Sequence, residues 1–152
     1  MVSPFWQAMH AAQSETDRLV PGRKSTVREH NVEGSKGTEI MPELCRDGDY
    51  VVDSKKRLDC FYGTDLKHLL DALRTRTTIL MGISTNTCVL NTAFTAFIFS
   101  YRVVVLSDCV ASMYGDDLHE LGLQNVQRCL GWVISNEQFF AKLKEESHEL
   151  QP

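Results

Sequence analysis

The sequence predicts a three-layer α/β/α domain on a mainly parallel sheet, and three observations carry that expectation. Strand-like and helix-like stretches alternate from about residue 64 to the C-terminal region, the order that covers a parallel sheet on both faces. Val103-Val104-Val105-Leu106 is an unbroken apolar run, as a strand buried on both faces requires. Thr78-Ile79-Leu80-Met81 leads through Gly82 into a helix-like segment, the kind of strand end at which such sheets collect reactive groups. The composition, 43% hydrophobic and 24% charged in 152 residues, suits one globular domain over 1–152, with residues 1–48 mostly irregular.

Taken in order, residues 4–15 read as a short helix with Phe5, Met9 and Ala12 on one face. From 20 to 47, Pro, Gly, Ser and charge argue for a long surface loop interrupted by one apolar piece from Ile40 to Leu44. Residues 50–54 read as a short strand leading to Lys55, Lys56 and Arg57. Thr64 is a good N-cap for a helix whose Leu66, Leu69, Leu70 and Leu73 form one apolar stripe. A strand over 78–82 precedes a helix over 87–99 with Val89, Ala93, Ala96 and Phe97 inward. The Val103 strand ends at Ser107-Asp108, and a helix over 116–130, a strand over 132–135 and a helix over 136–146 complete the pattern. Ile98-Phe99-Ser100 puts an apolar pair at a helix end, where polar, turn-forming residues are expected.

A net charge of −4 with mixed signs leaves no basic stripe, so no nucleic-acid partner is expected. No apolar stretch reaches bilayer-spanning length and the first residues lack the layout of a secretion signal, so no membrane partner is expected, and a cytoplasmic location is. Cys45, Cys60, Cys88, Cys109 and Cys129 are odd in number, show no metal-ligand spacing and read as reduced thiols. No metal or other cofactor is expected: His30 has no partner ligands at useful spacing, and His10, His68, His119 and His148 read as helix-surface residues.

The strand-end rule selects Lys55, the stretch from Ser84 to Cys88, and Asp108. A cysteine in the first helical turn meets unpaired N–H groups and the positive end of the helix dipole, which favour thiolate and can hold an oxyanion. The structural alternative is a small buried apolar residue. For Lys55 the alternative is a solvated basic surface, and for Asp108 it is a turn or N-cap residue.

The run Lys55-Lys56-Arg57-Leu58-Asp59-Cys60-Phe61-Tyr62-Gly63-Thr64-Asp65-Leu66 resembles the K-x-R-x-x-x-F-x-G-T-x-L run of the isochorismatase-like cysteine hydrolases. Gly82-Ile83-Ser84-Thr85-Asn86-Thr87-Cys88-Val89, with Thr92-Ala93 and Ala96, resembles that family's nucleophile segment, 33 residues beyond Lys55 as in the family. Glu33-Gly34, Gly37-Thr38-Glu39-Ile40, Ser112-Met113-Tyr114-Gly115 and Leu123-Gln124-Asn125-Val126 look most like the branch of biuret and ureidoacrylate amidohydrolases.

The resemblance implies that Cys88 attacks an amide or ureide carbonyl, with Lys55 beside it stabilising negative charge. It implies a cis peptide between Ile83 and Ser84 that aims the Ser84 and Cys88 amides at one oxygen, and it places Phe61, Asn86, Thr87 and Gln124 along the substrate. A core aromatic and a helix-surface amide are the alternatives for Phe61 and Gln124. The family's catalytic aspartate, at the end of its first strand, has no counterpart. By resemblance Met1 falls in the loop after the second strand, so the domain is expected to be N-terminally truncated. The strand ending at Met81 would then keep an unpaired apolar edge, which favours a homo-oligomer.

The expected function is therefore a cysteine-dependent amidohydrolase that cleaves a C–N bond of a small ureide or amide through a thioester. The alternative is an impaired fragment or non-catalytic subunit that keeps the fold, since an acyl-transfer site without its proton acceptor loses about two to four orders of magnitude in rate. A nucleotide-binding domain fits less well, because no glycine-rich phosphate loop follows any predicted strand.

Overall fold

The computed structural model describes residues 34–149, and the chain divides into two units, 1–50 and 51–152. The helix expected over 4–15 lies outside the described residues. Among the described residues of the first unit, 34–50, 3-10 turns at Lys36–Thr38 and Pro42–Leu44 interrupt otherwise irregular chain. Ile40, Met41 and Leu44 are all exposed there, as a surface loop implies.

The second unit holds a three-stranded parallel sheet in the order β1 (Thr77–Ile83), β2 (Arg102–Ala111), β3 (Gly131–Ile134). Helix α1 (Leu66–Ala72) precedes it, α2 (Leu90–Ile98) joins β1 to β2, α3 (Asp116–Asn125) joins β2 to β3, and α4 (Asn136–Glu149) follows. Strands taken in sequence order and joined by right-handed crossovers put α2 and α3 on one face. The core agrees: Ala93 and Ala96 of α2 cluster with Val103 and Val105 of β2 and with Val126 and Leu130, on a π turn that extends α3. Leu106 points the other way and is buried outside that cluster, so the apolar run is covered on both faces as expected. Among the described residues β1 is an edge strand, with Ile79, Met81 and Ile83 exposed, so the apolar edge is present.

Several boundaries differ from expectation. Residues 50–54 form irregular chain and a turn at 53–54 rather than a strand, because a strand needs a ladder partner and none of the three strands pairs with them. The helix after Thr64 starts one residue later than that cap implies, at Leu66 with Asp65 in the N-cap position, although the Thr64 hydroxyl still accepts the Leu66 N–H at 3.4 Å. Leu66 and Leu70 pack on the core while Leu73, beyond the helix end, is exposed. β2 does not stop at Ser107-Asp108. Leu80 pairs with Val105 and Gly82 with Val110, so two steps on β1 meet five on β2, and the strand resumes pairing beyond this bulge.

The apolar end of α2 is explained by its cap. Ser100 adopts φ 65°, the Tyr101 N–H reaches Ala96 O at 3.0 Å and the Ser100 N–H reaches Phe97 O at 2.9 Å. That is a Schellman closure, with buried Tyr101 meeting Ala96 as its apolar contact. α1 ends the same way at Arg74, φ 53°, with Thr75 N–H on Leu70 O and Arg74 N–H on Asp71 O, both at 2.9 Å.

These two ends are tied together. Lys67 donates to Asp71 one turn on, Tyr101 Oη donates to the same carboxylate at 2.9 Å, and the Lys67 ammonium lies 5.2 Å from the Phe99 ring centre. The Lys67 hydrogen bond first, and the Tyr101 hydrogen bond second, hold the Asp71 carboxyl below its usual range. A depressed carboxyl adds stability that is present above its unfolded value and lost as pH falls through the folded one. Unfolding in urea is therefore expected to grow easier between about pH 5 and pH 3, less so in Asp71→Asn. The difference should be small and shrink with salt, since Asp71 is exposed and Lys67 partly so.

Candidate active site

β1 ends at the candidate site. Ile83 and Ser84 are joined by a cis peptide, as the resemblance implied. Beyond it the chain winds a π turn, Thr85–Val89, rather than entering a regular helix at 87. The Val89 N–H reaches Ser84 O at 3.2 Å, and the Thr87 N–H reaches the same oxygen at 3.1 Å. α2 continues directly from this turn, so Cys88 stands in the first turn of a helical run that starts at a parallel strand's C-terminal end. Single π turns inside helices recur at functional sites. Ser84 and Thr85 are buried, and Cys88 is half-buried with the Thr87 hydroxyl 3.9 Å from its sulfur.

The turn is held from the α3 side. The Thr85 hydroxyl lies 2.8 Å from His119 Nδ1, and Ser112 Oγ donates to Asn86 Oδ1 at 2.8 Å. Ser112 is delivered by the resumed end of β2, where Ala111 pairs with Ile83. His119 is therefore a half-buried partner of the nucleophile turn rather than a helix-surface residue. Its partner is 34 positions away, and nothing in local periodicity could have flagged it. Gly122 completes the contact, because a Cβ there would lie 3.2 Å from Asn86 Cα and N and from the Thr85 carbonyl carbon. Gly122→Ala is expected to cost about 1–2 kcal/mol and to slow alkylation of Cys88. Urea titration and peptide mass spectrometry check the two effects.

The other expected residues are placed as follows. Lys55 is half-buried and its Nζ donates to Arg57 O at 2.7 Å, so the ammonium folds onto its own loop. Phe61 is a core aromatic, edge-on to Phe99 at 5.4 Å and stacked on Tyr101 at 6.1 Å. Gln124 is half-buried on α3 and donates to Glu120 at 3.2 Å, an i,i+4 pair on the helix surface. Asp108 serves as a helix-start residue: its Oδ1 accepts the Asn136 N–H at 2.8 Å. Ser135 and Gln138 close a capping box there, each side chain accepting the other's backbone N–H. Phe97, expected inward, is 50% exposed. The buried arc of α2 turns instead toward Thr92, on which the loop before α1 docks.

Among the described residues no group of three or more His, Cys, Asp or Glu side chains could hold a metal ion. No helix of the described residues is long and apolar enough to cross a membrane.

The sequence profile of the isochorismatase domain matches residues 7–138. A ureidoacrylate amidohydrolase RutB of Methylorubrum extorquens is 34% identical over 144 residues, 95% of this chain and 56% of that protein. An isochorismatase-like hydrolase from Alkaliphilus metalliredigens superposes with TM-score 0.72 at 34% identity, over 80% of this chain and 66% of that one. N-carbamoylsarcosine amidase from Thermoplasma acidophilum superposes with TM-score 0.62 at 30% identity, over 70% and 60% respectively. The chain spans about half the length of the curated relatives it matches.

Proposed function

The chain belongs to the isochorismatase family, and from that premise we propose that it is a cysteine-dependent amidohydrolase that cleaves a C–N bond of a small ureide or amide. The observation that carries this reading is Cys88 itself, half-buried on a π turn at the end of β1 and held there by Thr85, Asn86 and Gly122. The names of two similar proteins, an amidohydrolase of ureidoacrylate and an amidase of N-carbamoylsarcosine, support a carbamoyl nitrogen as the group released.

In this mechanism the Cys88 thiolate adds to the carbonyl carbon, and the N–H groups at the start of the helical run receive the oxyanion. The C–N bond then breaks, and ammonia or an amine departs with the proton that the thiol gave up. Water cleaves the resulting thioester, releasing the acid and restoring the thiol. Lys55 supplies positive charge near the sulfur. The reading includes a reducing, cytoplasmic setting, supported by five free cysteines, and self-association, supported by the apolar β1 edge.

The test is acyl capture. The protein is mixed with N-carbamoyl compounds and small primary amides, quenched in acid and digested. The expected result is an acyl mass on the peptide that carries Cys88, together with released ammonia. Ammonia release without that adduct, from a protein whose Cys88 is already alkylated, would overturn the reading.

A further inference from the structure

We propose that Asp59, Thr92 and Thr95 are positioning residues that dock the Lys55 loop on α2, just beyond the π turn that carries Cys88. The proposal rests on the roles given above to Cys88 and Lys55. Asp59 works with both carboxylate oxygens: Oδ2 accepts the Thr95 hydroxyl at 3.0 Å, and Oδ1 accepts the Phe61 N–H at 3.0 Å. The Cys60 N–H donates to Thr92 Oγ1 at 3.2 Å, and Thr92 is 5% exposed. Thr64 Oγ1 donates to Cys60 O at 2.6 Å, closing the loop on itself, and the Phe61 ring inserts between the loop and the core.

The geometry of α2 gives these bonds their consequence. Along α2, at 3.6 residues per turn, positions 92 and 95 lie within about 60° of each other. The hydroxyls that hold the loop therefore share one stripe of α2, about one and two turns beyond the π turn that carries the thiol. Lys55 lies four residues before Asp59, so their Cα atoms are at most about 14 Å apart. Its ammonium bonds the loop's own backbone at Arg57, so its place relative to the sulfur is set by where the loop is docked. Without the Asp59–Thr95 bond the loop keeps Phe61 as an anchor but loses its alignment along the stripe.

Iodoacetamide alkylation at neutral pH, read peptide by peptide, separates this role from mere support. Thr95→Val keeps the side-chain shape and removes the hydroxyl, while Thr95→Ser keeps the hydroxyl. Thr95→Val is expected to slow Cys88 about three- to tenfold, the effect of weakening the influence of an opposite charge on the thiol. It should also speed Cys60, whose N–H is one of the loop's own contacts with α2. Thr95→Ser should restore both rates, and Thr95→Val should add nothing at Cys88 in a Lys55→Ala background. Asp59→Asn, which keeps the size and weakens the acceptor, is the second variant and should give the same pattern. If Lys55→Ala slows Cys88 while Thr95→Val does not, the positioning role fails and that of Lys55 stands. If Lys55→Ala leaves Cys88 unchanged, the charge role of Lys55 fails and the positioning role fails with it. Equal slowing by Thr95→Val with and without Lys55 would also overturn the proposal.

Discussion

Cys88→Ser is expected to lower ammonia release from small amides by at least about four orders of magnitude relative to the unsubstituted chain, with little change in the urea midpoint. The exchange is nearly isosteric, and Cys88 lies outside the buried core cluster, so the fold has small reason to respond. The chemistry has every reason to respond. A thiol carries some thiolate at neutral pH and is intrinsically nucleophilic, whereas a serine hydroxyl needs a base within hydrogen-bond reach. Thr87 beside the sulfur, Asn86 in the turn and Ser84 just before it carry hydroxyls and an amide, none of which is a base. His119, the imidazole at the site, is engaged with Thr85. Steady-state ammonia release and urea titration check the two halves, and a serine variant with unchanged turnover would remove Cys88 from the mechanism.

Gly131→Ala is expected to have the largest effect on stability, a loss of about 3 kcal/mol or more. Gly131 opens β3 opposite Val103, and a Cβ there would fall 2.1 Å from Val103 O and 2.9 Å from its carbonyl carbon. The backbone at Gly131, φ 175°, is open to alanine, so the cost comes from contact rather than from torsion. Val103 cannot yield cheaply. It is fully buried on the central strand and paired on its other side with Thr78. β3 has only four residues, so a displaced first pair endangers the whole strand, and α4 starts two residues beyond it. Urea unfolding measures the change, and a midpoint within error of the parent would show that the approach at Val103 relaxes freely.

Much of this layout was legible in the sequence because it depends on local signals. The run from Val103 to Leu106 reads as a doubly covered strand from its apolarity alone, and it is one. The Thr78 to Cys88 segment reads as strand, turn and helix start, and its resemblance located the cis peptide. What escaped depends on partners far away in the chain. β2 looks finished at Ser107-Asp108 because both are polar, yet it resumes pairing beyond a bulge that has no periodicity to read. Residues 50–54 have strand-forming side chains but no strand beside them. Phe97 looked inward on a helical wheel, but the loop bound at Thr92 and Thr95 turned the buried face away from it. His119 carries no local signal and Ser112 stands out only within a family-like run, and it is β2 and α3 returning to the turn that bring them to Thr85 and Asn86.

The central claim is that Cys88 is an activated nucleophile rather than an inert thiol, and competition among the five cysteines tests it most directly. Accessibility alone favours Cys129, the one exposed thiol, while Cys45, Cys60, Cys88 and Cys109 are all half-buried. Limiting iodoacetamide at neutral pH is expected to label Cys88 first, at least about tenfold faster than Cys129, and Lys55→Ala should remove most of that lead. If labelling instead follows exposure, with Cys129 first and Cys88 among the other three, the site is not assembled for nucleophilic chemistry and the account is contradicted.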